Sequence, residues 1–425
     1  MTPTSHPLRV AALVDLARTR EAGGHVKCWE RLAEAAAKSP LPLDLTVYFS
    51  GPAATERLGP RARLRQLPPV FSTSRLGFLP YVPDHSDLAP YHRRLARELA
   101  GYDLIHSTDG FFAFARTAEQ TARRHGIPLV TSFHTDTPSY TRIFTRQTIE
   151  RLFGEGWLAR LLLEGRNMPE AQGRKMDQRL AEHVRHCNAA VVTRPEDHAM
   201  AEAILGKNRV GHLRLGVDKA QFGPHRADRA GVERDYGVAP GAFLVLFVGR
   251  LDVGKNIHTL IDAMARLRAE GRPVHLIAAG IGPAADDVRA ALGDAASVPG
   301  FVDPVELARL YASVDVAALP SEVEMRGMVG VEAMASGCPA LVSEAAGVAP
   351  LFANTRGMRP VASEAQAWAV ALYDIFKDAA QRSAMRLSAL AYSRQHLASW
   401  GEVLAEDLFA VWRNVVERQA RLAAA

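Results

Sequence analysis

Cysteine is scarce in this 425-residue sequence, and long apolar runs are absent. The three cysteines, Cys28, Cys187 and Cys338, are scattered without the spacing of a disulfide framework or a zinc site. No apolar run approaches the roughly 18 residues that span a bilayer, and the segment up to Arg9 lacks the charged and apolar regions of a signal sequence. These absences predict a cytoplasmic protein whose cysteines are small buried hydrophobic residues.

Positive charge is in excess, but only in the first half of the chain. Residues 1–218 hold 30 Lys and Arg against 23 Asp and Glu, whereas residues 219–425 hold 21 against 23. The first half therefore suits an acidic partner or surface, although a solvated basic face without a partner would have the same composition. The basic residues form no aromatic-interleaved platform and no nucleic-acid-binding motif, so no nucleic acid partner is predicted.

The chain is too long for one ordinary core, and its predicted strands alternate with helices. Val10–Val14 predicts the first strand, and Phe243–Val248 opens a second series of strands and helices. We expect an α/β protein with two parallel sheets, divided into residues 1–218, residues 219–395 and a C-terminal helix over 396–425. The Pro- and Arg-rich segment Pro60–Pro90 predicts an irregular loop.

The stretch 140–186 combines large apolar residues with arginines. The apolar residues include Phe144, Phe153, Trp157 and Leu161–Leu163, and the arginines include Arg142, Arg146, Arg151, Arg160, Arg166 and Arg174. A basic amphipathic helix lying on an anionic membrane would have this composition. An ordinary helix packed on the domain core, with arginines extending their charged ends to water, would have it too. Both interpretations stay open at this point.

Two cations follow the strand at Phe243–Val248, and two carboxylates occur further along the chain. Arg250 and Lys255 would emerge at the carboxyl end of this buried strand, where open α/β sheets bind ligands. Glu324 falls in a loop and Glu332 in the first turns of a helix, whose N-terminus favours an anion. The arrangement predicts a site for a nucleotide sugar, with its diphosphate beside the two cations.

These residues resemble the signature of the retaining glycosyltransferases of the GT-B class, family 4. That family carries two glutamates eight positions apart, here Glu324 and Glu332, and an arginine and a lysine five apart, here Arg250 and Lys255. The match extends to Gly280-Ile281-Gly282-Pro283, Gly300-Phe301-Val302 and Pro320-Ser321, and more loosely to Gly23-Gly24 and Ser132–Asp136. The resemblance implies two Rossmann-like domains that face each other across a cleft, with the C-terminal helix crossing back to the first domain.

The resemblance also assigns roles to residues of the second domain. Arg250 and Lys255 would stabilise the charge that develops on the leaving diphosphate. No metal is expected, because the sequence lacks the Asp-x-Asp triplet with which metal-dependent transferases hold a diphosphate. Glu324 would lie by the donor sugar, and Glu332 would accept hydrogen bonds from the ribose. Further positions of this domain expected to bind the sugar donor are Phe301, Val302, Gly327, Met328 and Val329. Gly23 and Gly24 of the first domain are expected to bind it as well.

Residues of the first domain would complete the chemistry. His134 matches the family histidine that reaches the donor sugar, and Asp136 is a candidate to orient or deprotonate the acceptor hydroxyl. His106 also ends a strand and is a weaker candidate. No residue is assigned as a nucleophile, because a same-face mechanism is generally favoured for this class. No cofactor is expected, since the nucleotide sugar is itself the substrate.

Several positions depart from the family pattern. Gly254 stands where an acidic residue commonly precedes the lysine, and Ile281 replaces an aspartate. Arg326 takes the place of a phenylalanine beside the donor sugar. If the Arg326 side chain faces the sugar, it would pair with an acidic substituent such as that of a uronic acid; the alternative is that it points to solvent.

The sequence therefore predicts a metal-independent, retaining hexosyltransferase that uses a UDP- or GDP-sugar. The segment Ser132–Tyr140 looks most like members that glycosylate membrane lipids, so we expect a lipid or lipid-linked glycan acceptor at the inner face of the plasma membrane. A soluble small-molecule or polysaccharide acceptor is the alternative. A nucleotide-sugar epimerase of the same fold and a catalytically silent binding module are rivals from other classes.

Overall fold

A computed structural model describes residues 6–75 and 86–424 and divides them into two compact units. One unit runs as far as Arg214 and takes up the chain again from Trp400, and the other is Leu215–Ser399. Each unit holds one sheet. The first unit is discontinuous in sequence, because the second unit lies between its two segments.

The first unit is built on an eight-stranded sheet. Its strands are β1 (Leu8–Ala17), β2 (Leu43–Ser50), β3 (Ala54–Gly59), β4 (Ala62–Leu67), β5 (Leu104–Ser107), β6 (Leu129–Ser132), β7 (Ala189–Val192) and β8 (Val210–His212). They lie in the order β3-β4-β2-β1-β5-β6-β7-β8 and are parallel except for β3, which pairs antiparallel with β4. Strands β5, β6 and β7 are buried along their whole length, as expected for a parallel sheet covered on both faces.

Helices cover this sheet, and they differ in how many side chains they bury. They are α1 (Gly24–Lys38), α2 (Arg93–Leu99), α3 (Ala113–His125), α4 (Thr137–Phe153), α5 (Trp157–Arg160), α6 (Met168–His186) and α7 (Pro195–Leu205), with a π-helical turn at Leu161–Gly165. Helix α1 buries Val26, Trp29, Leu32 and Ala36 along one face, at the spacing of an amphipathic helix. In contrast, α4 buries only Pro138 and Ile149.

The prediction of an irregular loop over Pro60–Pro90 is wrong for Ala62–Leu67, which forms β4. This strand buries Ala62, Leu64 and Leu67 and pairs in parallel with β2. The two arginines that alternate with these apolar residues form ion pairs, Arg63 with Asp44 and Arg65 with Glu98 at 2.8 Å. Part of the predicted loop, residues 76–85, lies outside the described residues.

The second unit is a six-stranded, fully parallel sheet. Its strands are β9 (Phe243–Val248), β10 (Val274–Ala279), β11 (Ala296–Gly300), β12 (Val316–Leu319), β13 (Ala340–Ser343) and β14 (Met358–Val361). Its helices are α8 (Arg229–Asp235), α9 (Ile257–Ala269), α10 (Ala285–Leu292), α11 (Pro304–Ser313), α12 (Met328–Ala335), α13 (Ala365–Lys377) and α14 (Ala379–His396). The strand order β11-β10-β9-β12-β13-β14 is that of a Rossmann sheet, with one apolar cluster on each face.

The chain then returns to the first unit as a long helical segment. It comprises α15 (Trp400–Glu402), a π-helical stretch at Val403–Phe409 and α16 (Ala410–Ala424). Asp407 of this segment accepts hydrogen bonds from the backbone N–H and the guanidinium of Arg214 at 2.8 and 2.9 Å, and Trp412 is fully buried. The segment is therefore part of the packed first unit. The α/β architecture with two Rossmann-like domains, predicted from sequence, is confirmed.

Candidate active site

The strand order of the second unit locates its ligand site. The order reverses between β9 and its neighbour β12, because β10 follows β9 on one side and β13 follows β12 on the other. Ligands of open α/β sheets bind at the carboxyl ends of the strands at such a reversal. Arg250 and Lys255 follow β9, and Glu324 follows β12. The structure thus brings these three residues to one edge of the sheet.

The ammonium of Lys255 lies 2.7 Å from Oε2 of Glu324. Oε1 of Glu324 accepts hydrogen bonds from the backbone N–H groups of Gly327 at 3.1 Å and Arg326 at 3.4 Å. Burial alone would raise the pKa of Glu324, but Lys255 and the two N–H groups outweigh it and hold the pKa below its usual range. Glu324 is therefore an anion that orders both the lysine and the loop before α12.

Asp252 is a residue of this site that sequence reasoning missed. Its Oδ2 accepts a hydrogen bond from Nε of Arg250 at 2.8 Å, and its Oδ1 accepts one from the backbone N–H of Lys255 at 3.0 Å. Asp252 is 4% exposed, so both contacts are protected from water. The signal that could have found it is an aspartate three positions before the lysine, the spacing of a helix cap. Asp252 holds the two cations in fixed relative positions.

Two glycines allow the loops after β9 and β10 to touch. A Cβ atom at Gly280 would lie 1.8 Å from the carbonyl oxygen of Gly249, and one at Gly282 would lie 2.3 Å from that of Leu251. The backbone N–H of Leu251 donates to the carbonyl of Ile281 at 2.9 Å. Only glycine permits this approach. The backbone around Arg250 is consequently fixed by the neighbouring loop.

Helix α12 begins directly after the Glu324 loop. Gly327 takes the left-handed conformation, with φ of +58°, and Met328 and Val329 form the first helical turn. Backbone N–H groups at this end of a helix have no intrahelical acceptor and favour an anion. Glu332, half-buried on the same helix, adds to the effect of burial in raising the pKa of the enclosed Tyr311 hydroxyl. Its carboxylate thus lies close to Tyr311 of α11.

The remaining predicted positions of the second unit lie along the same sheet edge. Phe301 and Val302 follow β11 and are half-buried. Arg326 is only 4% exposed, so the alternative in which it points to solvent is wrong. The enclosed Arg326 side chain thus belongs to the loop that Glu324 orders through the N–H groups of Arg326 and Gly327. Glu322, by contrast, is exposed.

The first unit gathers three histidines at the carboxyl ends of its central strands. His106 lies in β5, His134 follows β6, and His25 lies in the first turn of α1, just after Gly23 and Gly24. The rings of His25 and His134 are stacked, with centroids 4.6 Å apart and an angle of 6° between their planes. Ser132 Oγ lies 2.8 Å from Nε2 of both His106 and His134.

His25 was missed at the level of sequence, although it directly follows the noted glycine pair. Its Nε2 lies 2.7 Å from Thr108 Oγ1, which in turn donates to the carbonyl of Leu13 at 2.8 Å. Because the threonine hydrogen is given to Leu13, Thr108 accepts the N–H of His25. The stacked ring is thereby fixed against His134.

Asp136 holds the start of α4. Its Oδ1 accepts a hydrogen bond from the backbone N–H of Ser139 at 3.0 Å, and its Oδ2 lies 3.1 Å from the guanidinium of Arg194. Arg194 also pairs with Asp197 at 2.7 Å. The carboxylate expected to bind the acceptor therefore caps a helix and forms an ion pair.

The end of α4 carries exposed apolar side chains. Leu152, Phe153, Trp157 and Leu161, here named the apolar tip, are all exposed, and Trp157 is 77% exposed. Arg151, Arg160 and Arg166 are exposed around them. The interpretation in which this stretch packs on the domain core does not hold for these four apolar residues.

Among residues 6–75 and 86–424, no three His, Cys, Asp or Glu side chains are grouped so that they could hold a metal ion. Within the same ranges, every helix is too short or too polar to cross a membrane.

Comparison with solved structures and with protein families assigns the class. The sucrose-phosphate synthase of Thermosynechococcus elongatus aligns over 98% of this chain and 100% of its own, with a TM-score of 0.69 and 20% identity. The model of glycosyl transferases group 1 matches residues 230–392, and that of glycosyltransferase family 4 matches residues 22–193. The fold is that of the GT-B glycosyltransferases. The chain belongs to the group 1, family 4 type of these enzymes, as its sequence motifs predict.

Curated relatives are more distant in sequence. The D-inositol 3-phosphate glycosyltransferase of Nocardia farcinica is 27% identical over 71% of this chain and 65% of the relative. A GDP-mannose-dependent alpha-(1-6)-phosphatidylinositol dimannoside mannosyltransferase of Mycobacterium tuberculosis is 34% identical over 36% of this chain and 40% of the relative. The chain thus spans slightly less than two thirds of the first relative and less than half of the second.

Proposed function

We propose that this glycosyltransferase transfers a hexose-type sugar from a UDP- or GDP-sugar, with retention of configuration and without a metal ion. The observation that carries the proposal is the group of Arg250, Lys255 and Glu324 at the strand-order reversal of the second sheet. As the glycosidic bond to the diphosphate breaks, negative charge grows on the leaving oxygen. Two fixed cations beside that oxygen stabilise the transition state more than the ground state, which raises the rate.

The other residues of the second unit bind the rest of the sugar donor in this proposal. The N–H groups of Met328 and Val329 at the start of α12 bind the diphosphate and the sugar hydroxyls, and the N–H of Gly327 joins them when Glu324 turns to the donor sugar. Glu332 accepts hydrogen bonds from the ribose, and the backbone at Phe301 and Val302 contacts the base. Glu324 exchanges its ion pair with Lys255 for contacts with the donor sugar when the diphosphate takes up the lysine.

The histidines of the first unit serve the reacting sugar and its acceptor. His134 gives a hydrogen bond to the donor sugar, and Gly23 and Gly24 let backbone approach the donor closely. Asp136 orients the acceptor hydroxyl, which attacks the same face of the sugar from which the diphosphate departs. No protein nucleophile is assigned, so the acceptor itself supplies the new bond.

We further propose a lipid or lipid-linked glycan acceptor at the cytoplasmic face of a membrane. The support is the apolar tip, because large exposed apolar side chains rimmed by arginines bind the boundary between lipid headgroups and acyl chains. Between Arg146 and Arg166 the charges are four arginines against three glutamates, so insertion of apolar side chains contributes more than attraction to anionic lipid. The mannosyltransferase relative, whose acceptor is by name a phosphatidylinositol dimannoside, fits this acceptor class.

A soluble acceptor is the second candidate. The relative from Nocardia farcinica is by name an enzyme of D-inositol 3-phosphate, a small phosphorylated polyol. The excess of positive charge over residues 1–218 would suit such an acidic acceptor as well as a membrane. An epimerase of the same fold would use the same nucleotide sugar but would form no transfer product.

One assay separates these functions. Thermal unfolding is first measured with UDP-, GDP- and ADP-sugars, since a ligand at about 100 times its dissociation constant adds about 2.7 kcal/mol of stability. The stabilising sugar donor, radiolabelled, is then incubated with lipid extract or with soluble acceptors. Label in the organic phase supports the lipid acceptor, label on a soluble product supports the second candidate, and a labelled epimer alone refutes glycosyl transfer.

The membrane contact is tested by flotation with liposomes. Trp157→Ala should release the protein from vesicles of phosphatidylglycerol and phosphatidylcholine, because it removes the most exposed ring of the apolar tip. Leu387→Ala is the matched control, since Leu387 is a 70% exposed apolar residue on α14 of the second unit. Equal binding of the two variants would contradict the membrane contact at this tip.

A further inference from the structure

We propose that Trp412 and Trp29 fix the tautomer of His134, so that this ring carries its proton on Nδ1 and acts as a hydrogen-bond donor. The inference rests on the proposed function only for the role of His134 toward the sugar. Trp412 and His106 are then positioning residues, and the C-terminal helix takes part in the active site without touching substrate.

The first step of the argument concerns His106. Nε1 of Trp412 lies 2.9 Å from Nδ1 of His106, and both groups are buried although they are 306 residues apart. An indole N–H can only donate, so Nδ1 of His106 accepts. His106 is fully buried, which lowers its pKa to about 3 and keeps the ring neutral. A neutral ring that accepts at Nδ1 carries its one proton on Nε2.

The second step passes from His106 to His134 through a serine. Nε2 of His106 lies 2.8 Å from Ser132 Oγ, and because that nitrogen bears the proton, Ser132 accepts. The serine hydroxyl has one hydrogen to give, and Nε2 of His134 lies 2.8 Å away. Ser132 therefore donates to His134. The hydrogen bonds therefore all point in one direction, from Trp412 through His106 and Ser132 to His134.

A second tryptophan independently enforces the same polarity. Nε1 of Trp29 lies 3.2 Å from the same Nε2 atom of His134. A proton on that nitrogen would face the indole N–H of Trp29, so Nε2 of His134 must accept. Its single lone pair is shared between this indole and the closer Ser132 hydroxyl. Neutral His134 consequently carries its proton on Nδ1. The stacked ring of His25 holds the plane of this imidazole.

The tautomer decides what His134 can do. A histidine with Nδ1–H and an occupied Nε2 offers one hydrogen-bond donor and no free basic nitrogen. Its Nδ1–H can only donate, and the ring cannot accept the proton of the acceptor hydroxyl. Proton acceptance is therefore left to another group, and Trp412, distant in sequence, helps to set the protonation of His134.

The test uses variants that keep an aromatic ring and remove only the indole N–H. Trp29→Phe and Trp412→Phe each remove one of the two indole hydrogen bonds that enforce the tautomer and keep the other. The double variant removes both. Trp368→Phe is the control, since Trp368 is an equally buried tryptophan in the second unit. The protein is labelled with ¹⁵N-histidine, and the His134 signals are assigned by their loss in His134→Asn.

Protonated and unprotonated nitrogens of neutral imidazole have well-separated ¹⁵N frequencies, so the spectrum reports the tautomer without any substrate. We expect Nδ1–H at His134 in the wild type, in both single variants and in the control, and a mixture of tautomers in the double variant. Turnover of the double variant should fall about tenfold below the product of the two single effects, as for coupled residues, with KM little changed. Urea midpoints verify that each variant is folded.

Every other result contradicts one particular part of the proposal. Nε2–H at His134 in the wild type overturns the proposed tautomer whatever the activity. A double variant that still shows pure Nδ1–H overturns the role of the tryptophans. A mixed tautomer with multiplicative effects on turnover overturns the part of His134 in the reaction and leaves the tautomer assignment standing. Absence of any transfer by the wild type refutes the proposed function but not the spectrum.

Discussion

Nζ of Lys255 lies 2.7 Å from Oε2 of Glu324, although the two residues are 69 positions apart in sequence. Each follows one of two adjacent strands, β9 and β12, at the point where the strand order reverses. The ion pair keeps both side chains ordered. In the proposed mechanism a diphosphate must compete with Glu324 for the lysine, so that this carboxylate limits how tightly the leaving group is held.

Loss of either cation should reduce turnover far more than stability. Arg250→Ala and Lys255→Ala should each lower kcat by about 10²–10³, which corresponds to about 2.7–4 kcal/mol for one well-placed group that stabilises developing charge. Arg289→Ala is the control, because Arg289 is an exposed arginine of the same unit on α10. Steady-state kinetics and urea unfolding measure the two effects. Turnover within twofold of the wild type in Lys255→Ala would refute the proposed role.

Transfer should not depend on a divalent ion. The positive charge that stabilises the diphosphate comes from Arg250 and Lys255 in the proposed mechanism, so activity should persist after dialysis against EDTA. The measurement is turnover before and after chelation and after addition of magnesium or manganese. Complete loss of activity in EDTA, restored by either metal, would show that the cations of the protein are insufficient.

Arg326 should determine which sugars are accepted. A guanidinium that is 4% exposed in the Glu324 loop would bind an acidic sugar substituent with two parallel hydrogen bonds. We expect Arg326→Phe to lose activity with UDP-glucuronate and to gain it with neutral hexoses. Arg326→Lys keeps the charge without the planar fork and should show an intermediate preference. If Arg326→Phe leaves the ratio of kcat/KM for the two donors unchanged, Arg326 does not contact the sugar.

Protonation of His106 should make the first unit sensitive to acid. Burial lowers the pKa of His106 from an ordinary value of 6.5 to about 3 in the folded state. The unfolded chain binds the proton more readily between these values, so the stability is complete above pH 6.5 and falls as the pH drops toward 3. Between pH 7.5 and 5 the loss should be about 2 kcal/mol.

The measurement is the free energy of unfolding in urea at pH 7.5 and pH 5. His106→Gln keeps a hydrogen-bonding side chain without a titratable group, so it should lose about 2 kcal/mol of the pH dependence that the wild type shows. A variant with the same pH dependence as the wild type would show that His106 is not the group that binds the proton.

Regular periodicity and strand ends were sufficient to predict the fold and part of the site. The apolar runs of β9 and β12 made the positions of Arg250 and Glu324 at one sheet edge predictable, because carboxyl ends of parallel strands meet. The positions of β3 and β4 were not predictable. Strand β3 is largely exposed. The short apolar pattern of β4 is interrupted by Arg63 and Arg65, whose charges are neutralised by Asp44 and Glu98 elsewhere in the chain.

The network around His134 could not be read from sequence for a similar reason. His134 is close to Ser132 in the chain, but Trp29 is 105 positions away, and Trp412 is 306 positions from His106. Such pairs leave no local pattern. The burial of Arg326 was likewise unpredictable, because a loop arginine ordinarily faces water and only the packing of the Glu324 loop encloses it.

The discontinuity of the first unit also sets the order of events during synthesis. Residues from Trp400 onward complete the first unit, yet they are translated only after the whole of Leu215–Ser399. At about 5–20 residues per second, the first unit waits roughly 10–40 s for its last helix. During this interval the space of the Trp412 indole is open and His106 lacks its indole partner. The buried side chains that surround Trp412 in the finished first unit therefore stay uncovered until the segment from Trp400 has been synthesised.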